Sequence, residues 1–165
     1  MPGGNLKNFT SKHLPLTQED LLFFLAQLLV LVEDILKEGK LYLNLTLENI
    51  LVKENGYLVV NGLERTLDFK REQETKVRKI FGNPYYFSPE AIALKGYHEE
   101  MLVWRLGVIA YYLLTGNYPF RGKNIKELYN RILTEKVEGV PEFVLKMLEK
   151  DQLKRISLRE LREYP

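Results

Sequence analysis

A mainly α-helical domain with one small β-hairpin is the fold class the sequence predicts, and three observations carry it. Apolar residues recur at helical spacing through most of the 165-residue chain. Ser, Thr or Asn stands where those runs begin, and an Asn-Gly pair separates two short β-branched runs. The chain is long enough for one domain with its own core, and its 45% hydrophobic and 28% charged residues lie near the globular average.

The elements follow in order. Thr17 and Asp20 form a capping pair, and Leu21, Leu25, Leu28, Leu29, Val32, Ile35 and Leu36 behind them predict a long helix ending at Gly39. Phe24, Val30 and Leu31 widen its apolar face almost all the way round, so it is expected at the centre of the domain. The run Ile50-Leu51-Val52, Asn55-Gly56 and Tyr57-Leu58-Val59-Val60 predicts a hairpin. Residues 64–81 are charged and poorly periodic, which predicts an exposed loop.

Ser88-Pro89-Glu90 predicts a short helix with Ser as N-cap and Pro in the first turn, stopped by Gly96. A strongly apolar helix is expected from about Glu99 to Leu114, ended by Gly116 and Pro119. Asn124 caps another over 125–134, Pro141 opens one through Leu148, and Ser157 with Glu160 caps the last. No repeat or linker divides the chain, so residues 1–165 are expected to form a single domain.

Composition narrows the function. A formal charge of +2 with both signs interspersed argues against nucleic-acid binding. With no Cys and two isolated histidines, His13 and His98, neither a disulfide framework nor a zinc site is expected. The apolar run Leu21 to Val32 is interrupted by Gln27 and is shorter than the roughly 20 residues that span a bilayer. No membrane insertion and no secretion signal are expected, which leaves a cytoplasmic or otherwise intracellular protein.

Four strings go further. They are Glu48-Asn49-Ile50-Leu51-Val52 with Asn55-Gly56; Gly82-Asn83-Pro84-Tyr85-Tyr86-Phe87-Ser88-Pro89-Glu90; Val103-Trp104-Arg105-Leu106-Gly107-Val108 with Leu114-Thr115-Gly116 and Tyr118-Pro119-Phe120; and Leu148-Glu149-Lys150-Asp151 through Lys154-Arg155. Their order and spacing resemble the C-terminal lobe of eukaryotic Ser/Thr protein kinases, and the match opens at Met1-Pro2-Gly3-Gly4, which resembles the segment just beyond the hinge. The resemblance implies a protein-kinase-like C-lobe without an N-lobe, since no G-x-G-x-x-G occurs.

It also implies a degenerate site. Tyr42-Leu43-Asn44 falls where His-Arg-Asp belongs, so the proton acceptor becomes the amide Asn44, which is no base near neutral pH. The loop Lys falls on Thr46 and a later Thr on Asn83, while Gly62-Leu63-Glu64 falls on Asp-Phe-Gly, putting Gly62 where the metal carboxylate belongs. Asp68-Phe69 comes six residues too late and is followed by Lys70, so it reads as an ordinary loop pair. Asn49 keeps the second metal position and can equally cap the loop. The Asp that braces the loop from the central helix is Leu102, and the loop Arg is Leu43. By contrast, Glu90 and Arg155 match a structural ion pair of the family.

On these grounds the chain is expected not to be an enzyme, and neither ATP nor Mg binding is expected. The implied role is that of a pseudokinase module in protein-protein interaction or scaffolding, similar in concept to the kinase non-catalytic C-lobe (KIND) family. Its partner would be a protein, either a protein kinase or a peptide segment, bound through Tyr85, Tyr86 and Phe87 or through Leu128, Tyr129 and Ile132. One alternative is a regulator that docks on an active kinase or its N-lobe. The rival is residual ATP-dependent kinase activity.

Overall fold

The computed structural model describes residues 4–68, 82–96 and 98–164. Asn5 caps α1 (Leu6–Thr10) through a 2.9 Å bond accepted from Asn8 N. Thr17 and Asp20 close a reciprocal capping box on α2 (Gln18–Lys37). Next come β1 (Lys40–Tyr42), β2 (Ile50–Val52) and β3 (Leu58–Val60), a 3-10 turn at Leu63–Arg65, and β4 (Thr66–Asp68). After a second 3-10 turn at Pro84–Tyr86 follow α3 (Pro89–Ile92), α4 (Glu100–Thr115), α5 (Ile125–Thr134), α6 (Glu142–Met147) and α7 (Leu158–Arg162). The fold is mainly helical with small antiparallel ladders, as in a kinase-like C-lobe.

β2 and β3 form the expected hairpin in the register Ile50↔Val60, Leu51↔Val59 and Val52↔Leu58. Its turn spans more than the Asn-Gly pair: Lys53 N donates to Tyr57 O at 2.9 Å, and Gly56 adopts φ +80°. The loop expected over 64–81 needs correction. Thr66–Asp68 is a strand paired antiparallel with β1, Lys40 facing Asp68 and Tyr42 facing Thr66. Residues 69–81, including Phe69 and Lys70, lie outside the described residues. Among the described residues, a β1–β4 ladder therefore stands in addition to the expected hairpin.

The central position expected for α2 belongs to α4. Every residue of α4 from Met101 to Ala110 is buried, including Trp104 and Arg105. On α2, Leu21, Phe24, Leu25, Leu28, Leu29 and Val32 are buried while Leu22, Phe23 and Val30 are about half exposed, so one face meets solvent. The physical reason is that α4 is apolar all the way round and packs against both α2 and α6, whereas α2, though it also meets β1, β3 and α7, leaves Leu22, Phe23 and Val30 uncovered. Gly107 makes the α4–α6 approach possible: a Cβ there would lie 2.9 Å from Met147 Cβ and 3.0 Å from Leu148 Cγ. Among the described residues, no helix is long and apolar enough to cross a membrane.

Candidate functional site

The loop between β1 and β2 reads Leu43-Asn44-Leu45-Thr46-Leu47-Glu48-Asn49, and its three leucines are buried. This alternation anchors the loop in the core and leaves Asn44, Glu48 and Asn49 half exposed along its outer edge. Asn49 ties the loop together. Its Nδ2 donates to Asn44 O at 3.1 Å and to Thr46 Oγ1 at 3.0 Å, and its backbone N donates to Thr46 O at 3.0 Å. Asn61 N in turn donates to Asn49 O at 2.8 Å, and the hydroxyl of the fully buried Tyr42 donates to Asn61 O. The phenol of Tyr42 is pushed up to about 12 by burial, with Glu64 adding to the rise and Arg105 opposing it.

Gly62 follows, at φ +81° and ψ +30°, a left-handed conformation that glycine adopts without strain. A Cβ at Gly62 would lie 3.4 Å from Asn44 Nδ2, so the fold brings Asn44, Thr46, Asn49 and Gly62 into one neighbourhood. Neither Asn44 nor Gly62 carries a carboxylate. Leu43 and Leu102 are both buried hydrophobic residues, so no lone polar group is left at either position.

On the other side of the loop, Lys7 Nζ of α1 donates to Glu48 Oε1 at 2.7 Å. The Glu48 hydrogen bond holds the Lys7 ammonium above its ordinary pKa, against a smaller opposing effect of burial. Burial pushes the Glu48 carboxyl up, but the Lys7 bond and charge, with hydrogen bonds from the Glu48 backbone and Thr46, together hold it below its ordinary value. Tyr118 OH also donates to Glu48 Oε1, at 3.4 Å, and lies 3.4 Å from the Tyr86 hydroxyl, which accepts from Leu47 N at 3.1 Å. Burial raises the pKa of Tyr86 and, to a smaller extent, that of Tyr118. Tyr85 stacks on Tyr118 with ring centroids 4.5 Å apart. Lys7, Tyr118 and Glu48 were not singled out from the sequence as site residues. Lys7 and Glu48 are 41 positions apart, and no local pattern links them.

Burial divides the residues expected to form partner surfaces. Tyr86 and Phe87 are buried, because the Pro84–Tyr86 turn directs them inward and Phe87 packs toward Tyr129 at 6.1 Å. Leu128 and Ile132 are the core-facing residues of α5 and are also buried. Tyr85 and Tyr129 remain half exposed. Glu90 and Arg155 meet as a buried pair, with Arg155 Nη1 2.6 Å from Glu90 Oε1 and Nη2 2.9 Å from Oε2. Arg155 also donates to Glu100 O at 2.9 Å and Glu149 O at 2.8 Å, and it covers the Trp104 ring at 5.1 Å. One guanidinium thus joins α3, the start of α4 and the loop before α7.

A family model described as "Protein kinase domain" matches residues 1–165. Ribosomal protein S6 kinase alpha-6 of Danio rerio is 32% identical over 142 residues, covering 86% of this chain and 19% of that protein. Ribosomal protein S6 kinase alpha-3 of Homo sapiens is likewise 32% identical over 142 residues, with the same 86% and 19% coverage. Ribosomal protein S6 kinase alpha-1 of Homo sapiens is 33% identical over 144 residues, again 86% of this chain and 19% of that protein. The chain spans about a fifth of the length of these relatives. The expectation that it is not an enzyme is corrected by these matches, which fall on kinases and on a kinase-domain model along the whole sequence.

Proposed function

Because the chain belongs to the protein kinase domain family, we propose that this lobe works by recognising a protein partner, seating a peptide segment on the face formed by Tyr85, Tyr118, Lys7 and Glu48. The observation that carries this reading is the Tyr85–Tyr118 stack at 4.5 Å, half exposed and set beside the Lys7–Glu48 pair. Stacked rings offer wide contact area and have little side-chain freedom left to lose on binding. The ion pair beside them supplies one donor and one acceptor for a peptide backbone or side chain. Beside the stack, the buried Tyr86 meets the Tyr118 ring edge-on at 5.7 Å and is tied to Leu47 N, which steadies the platform. The partner proposed is another protein, a kinase included.

An immobilised peptide library probed with the tagged chain tests it. Wild type should retain a defined peptide set, and Tyr85→Ala should weaken retention about tenfold, since a single aromatic anchor typically carries over 1 kcal/mol. Equal retention by the variant, or no retained peptide with wild type, sinks the reading.

Family membership favours a second reading, phosphoryl transfer to a protein acceptor. In it the acceptor oxygen bonds the γ-phosphorus as the bond to ADP breaks, and the Asn44 amide orients the acceptor hydroxyl. The proton passes to the transferred phosphoryl group or to water, because an amide is no base near neutral pH. Transfer of radiolabel from ATP to a protein acceptor, lost in Asn44→Ala and kept in Asn83→Ala, would support it. Absence of transfer from wild type would remove it.

A further inference from the structure

Asn-Gly occurs at two places in the chain, Asn55-Gly56 in the hairpin turn and Asn61-Gly62 just after β3. Both asparagines are exposed, so water reaches both. In each pair the glycine peptide nitrogen neighbours the asparagine side-chain carbonyl carbon, which places a nucleophile and an electrophile in one short segment. Glycine has no Cβ to hinder the approach. The surroundings of the two pairs differ. Gly56 N donates to Lys53 O at 3.0 Å and Asn55 Oδ1 accepts from Tyr57 N at 3.3 Å, so the turn ties down both reacting groups. Among the described residues, neither Gly62 N nor the Asn61 side chain is hydrogen-bonded.

The peptide that joins Asn61 to Gly62 is instead held at its oxygen, which accepts from the Tyr42 hydroxyl. A donor aimed at a peptide oxygen stabilises negative charge on that peptide, as in an oxyanion hole. Burial pushes the Tyr42 phenol up to about 12, so it keeps its proton and remains a donor. Asn61 N donates to Asn49 O at 2.8 Å, which fixes residue 61 against Tyr42.

We propose that Asn61-Gly62 is a self-modification site, where Gly62 N closes a succinimide on the Asn61 side chain while the Tyr42 hydroxyl stabilises the deprotonated peptide. In the first step a bond forms between Gly62 N and Asn61 Cγ and the Cγ–Nδ2 bond breaks. Nδ2 leaves as ammonia, carrying the proton lost from Gly62 N. In the second step water adds to one imide carbonyl carbon and breaks its bond to nitrogen. Opening at Cγ leaves an aspartate side chain on the ordinary main chain. Opening at the main-chain carbonyl leaves isoaspartate, with the chain continuing through the former side chain. Either product adds a negative charge next to Gly62, whose Cβ position lies 3.4 Å from Asn44 Nδ2. Isoaspartate also reroutes the main chain where Asn49 and Tyr42 are tied to it.

Trypsin cuts after Lys53 and Arg65, so both pairs fall in the peptide 54–65 and tandem mass spectrometry compares them directly. The folded chain is held at mildly alkaline pH and sampled over days, with isoaspartate detected separately by enzymatic methyl transfer. Position 61 should convert about tenfold faster than position 55, because the hairpin bonds must break before Gly56 can react. In urea, where neither environment persists, the two positions should convert at similar rates. Tyr42→Phe keeps the buried ring and should slow position 61 about tenfold while leaving position 55 unchanged. Circular dichroism checks its fold, and the wild-type comparison stands by itself if that variant does not fold. Equal rates in the folded chain, faster conversion at position 55, or a preference for position 61 that persists in urea overturns the proposal. So does an unchanged or faster rate at position 61 in folded Tyr42→Phe.

Discussion

Arg155 and Glu90 illustrate how much one buried contact decides. Both side chains are almost fully buried, and the guanidinium uses its fork on one carboxylate and two carbonyls. Arg155→Ala would leave Glu90 buried without its counter-charge, at a cost of about 3–5 kcal/mol. Urea unfolding should therefore show a midpoint shifted strongly downward, and a shift below 1 kcal/mol would contradict it. Burial raises the Glu90 carboxyl pKa, but Arg155 outweighs this and leaves it below 4.5. A carboxyl lowered on folding contributes stability that is present above its unfolded pKa and lost as pH falls through the folded one. Acid unfolding of wild type should steepen below about pH 4.5, and replacing Glu90 should blunt that steepening. Lys150 gives a pH dependence of the same sign in a higher range. Burial pulls its ammonium from 10.5 to about 8, partly countered by Glu135 and Glu149. Its Nζ donates to Ile132 O at 2.5 Å and sits 4.3 Å over the Phe120 ring. Between those two values the unfolded chain holds more protons, so stability rises with pH. Relative to Lys150→Met, wild type should gain stability between pH 8 and 10.5; parallel profiles in urea titrations would refute this.

At the level of elements, caps do what sequence patterns say. Asn124 Oδ1 accepts from Glu127 N at 2.9 Å, and Asn124→Ala should lower stability by about 1 kcal/mol in chemical unfolding. Helix contacts behave differently. Gly107→Ala would gain up to about 1 kcal/mol of helix propensity, yet its methyl would meet Met147 Cβ at 2.9 Å. Overpacking of this kind costs about 1–3 kcal/mol, so the variant should be net destabilised, and a rise in thermal midpoint would show that α6 can shift aside. The β1–β4 ladder was not legible because Lys40-Leu41-Tyr42 and Thr66-Leu67-Asp68 are three residues each, too short for a period-2 signal. Their pairing is non-local, and the intervening chain holds the hairpin and the candidate site.

Across the whole molecule, one hydrophobic cluster runs from Leu6 on α1 to Leu161 on α7, with Trp104 fully buried near its middle. Trp104 is the chain's one tryptophan, so its fluorescence reports on that cluster. Fluorescence and far-ultraviolet circular dichroism should give coincident unfolding curves; separated midpoints would mean that packing around Trp104 is lost in a different step from the helices. The helix starts at Thr17, Ser88, Asn124 and Ser157 and the β2–β3 hairpin were legible because caps and turns are local chemistry, written within about four residues. Family membership was equally legible from the four strings. Which aromatic residues face outward was not, because Tyr86 and Phe87 carry the same apolar signal whether they serve as anchors or as core. What the sequence determined alone is the helical order and the amides at Asn44 and Asn49. What tertiary structure decided is convergence: a left-handed Gly62 returns Glu64 toward Asn44, and α1 carries Lys7 to Glu48 across 41 residues. Distance in space depends on how the chain folds back, and spacing along the sequence does not encode it.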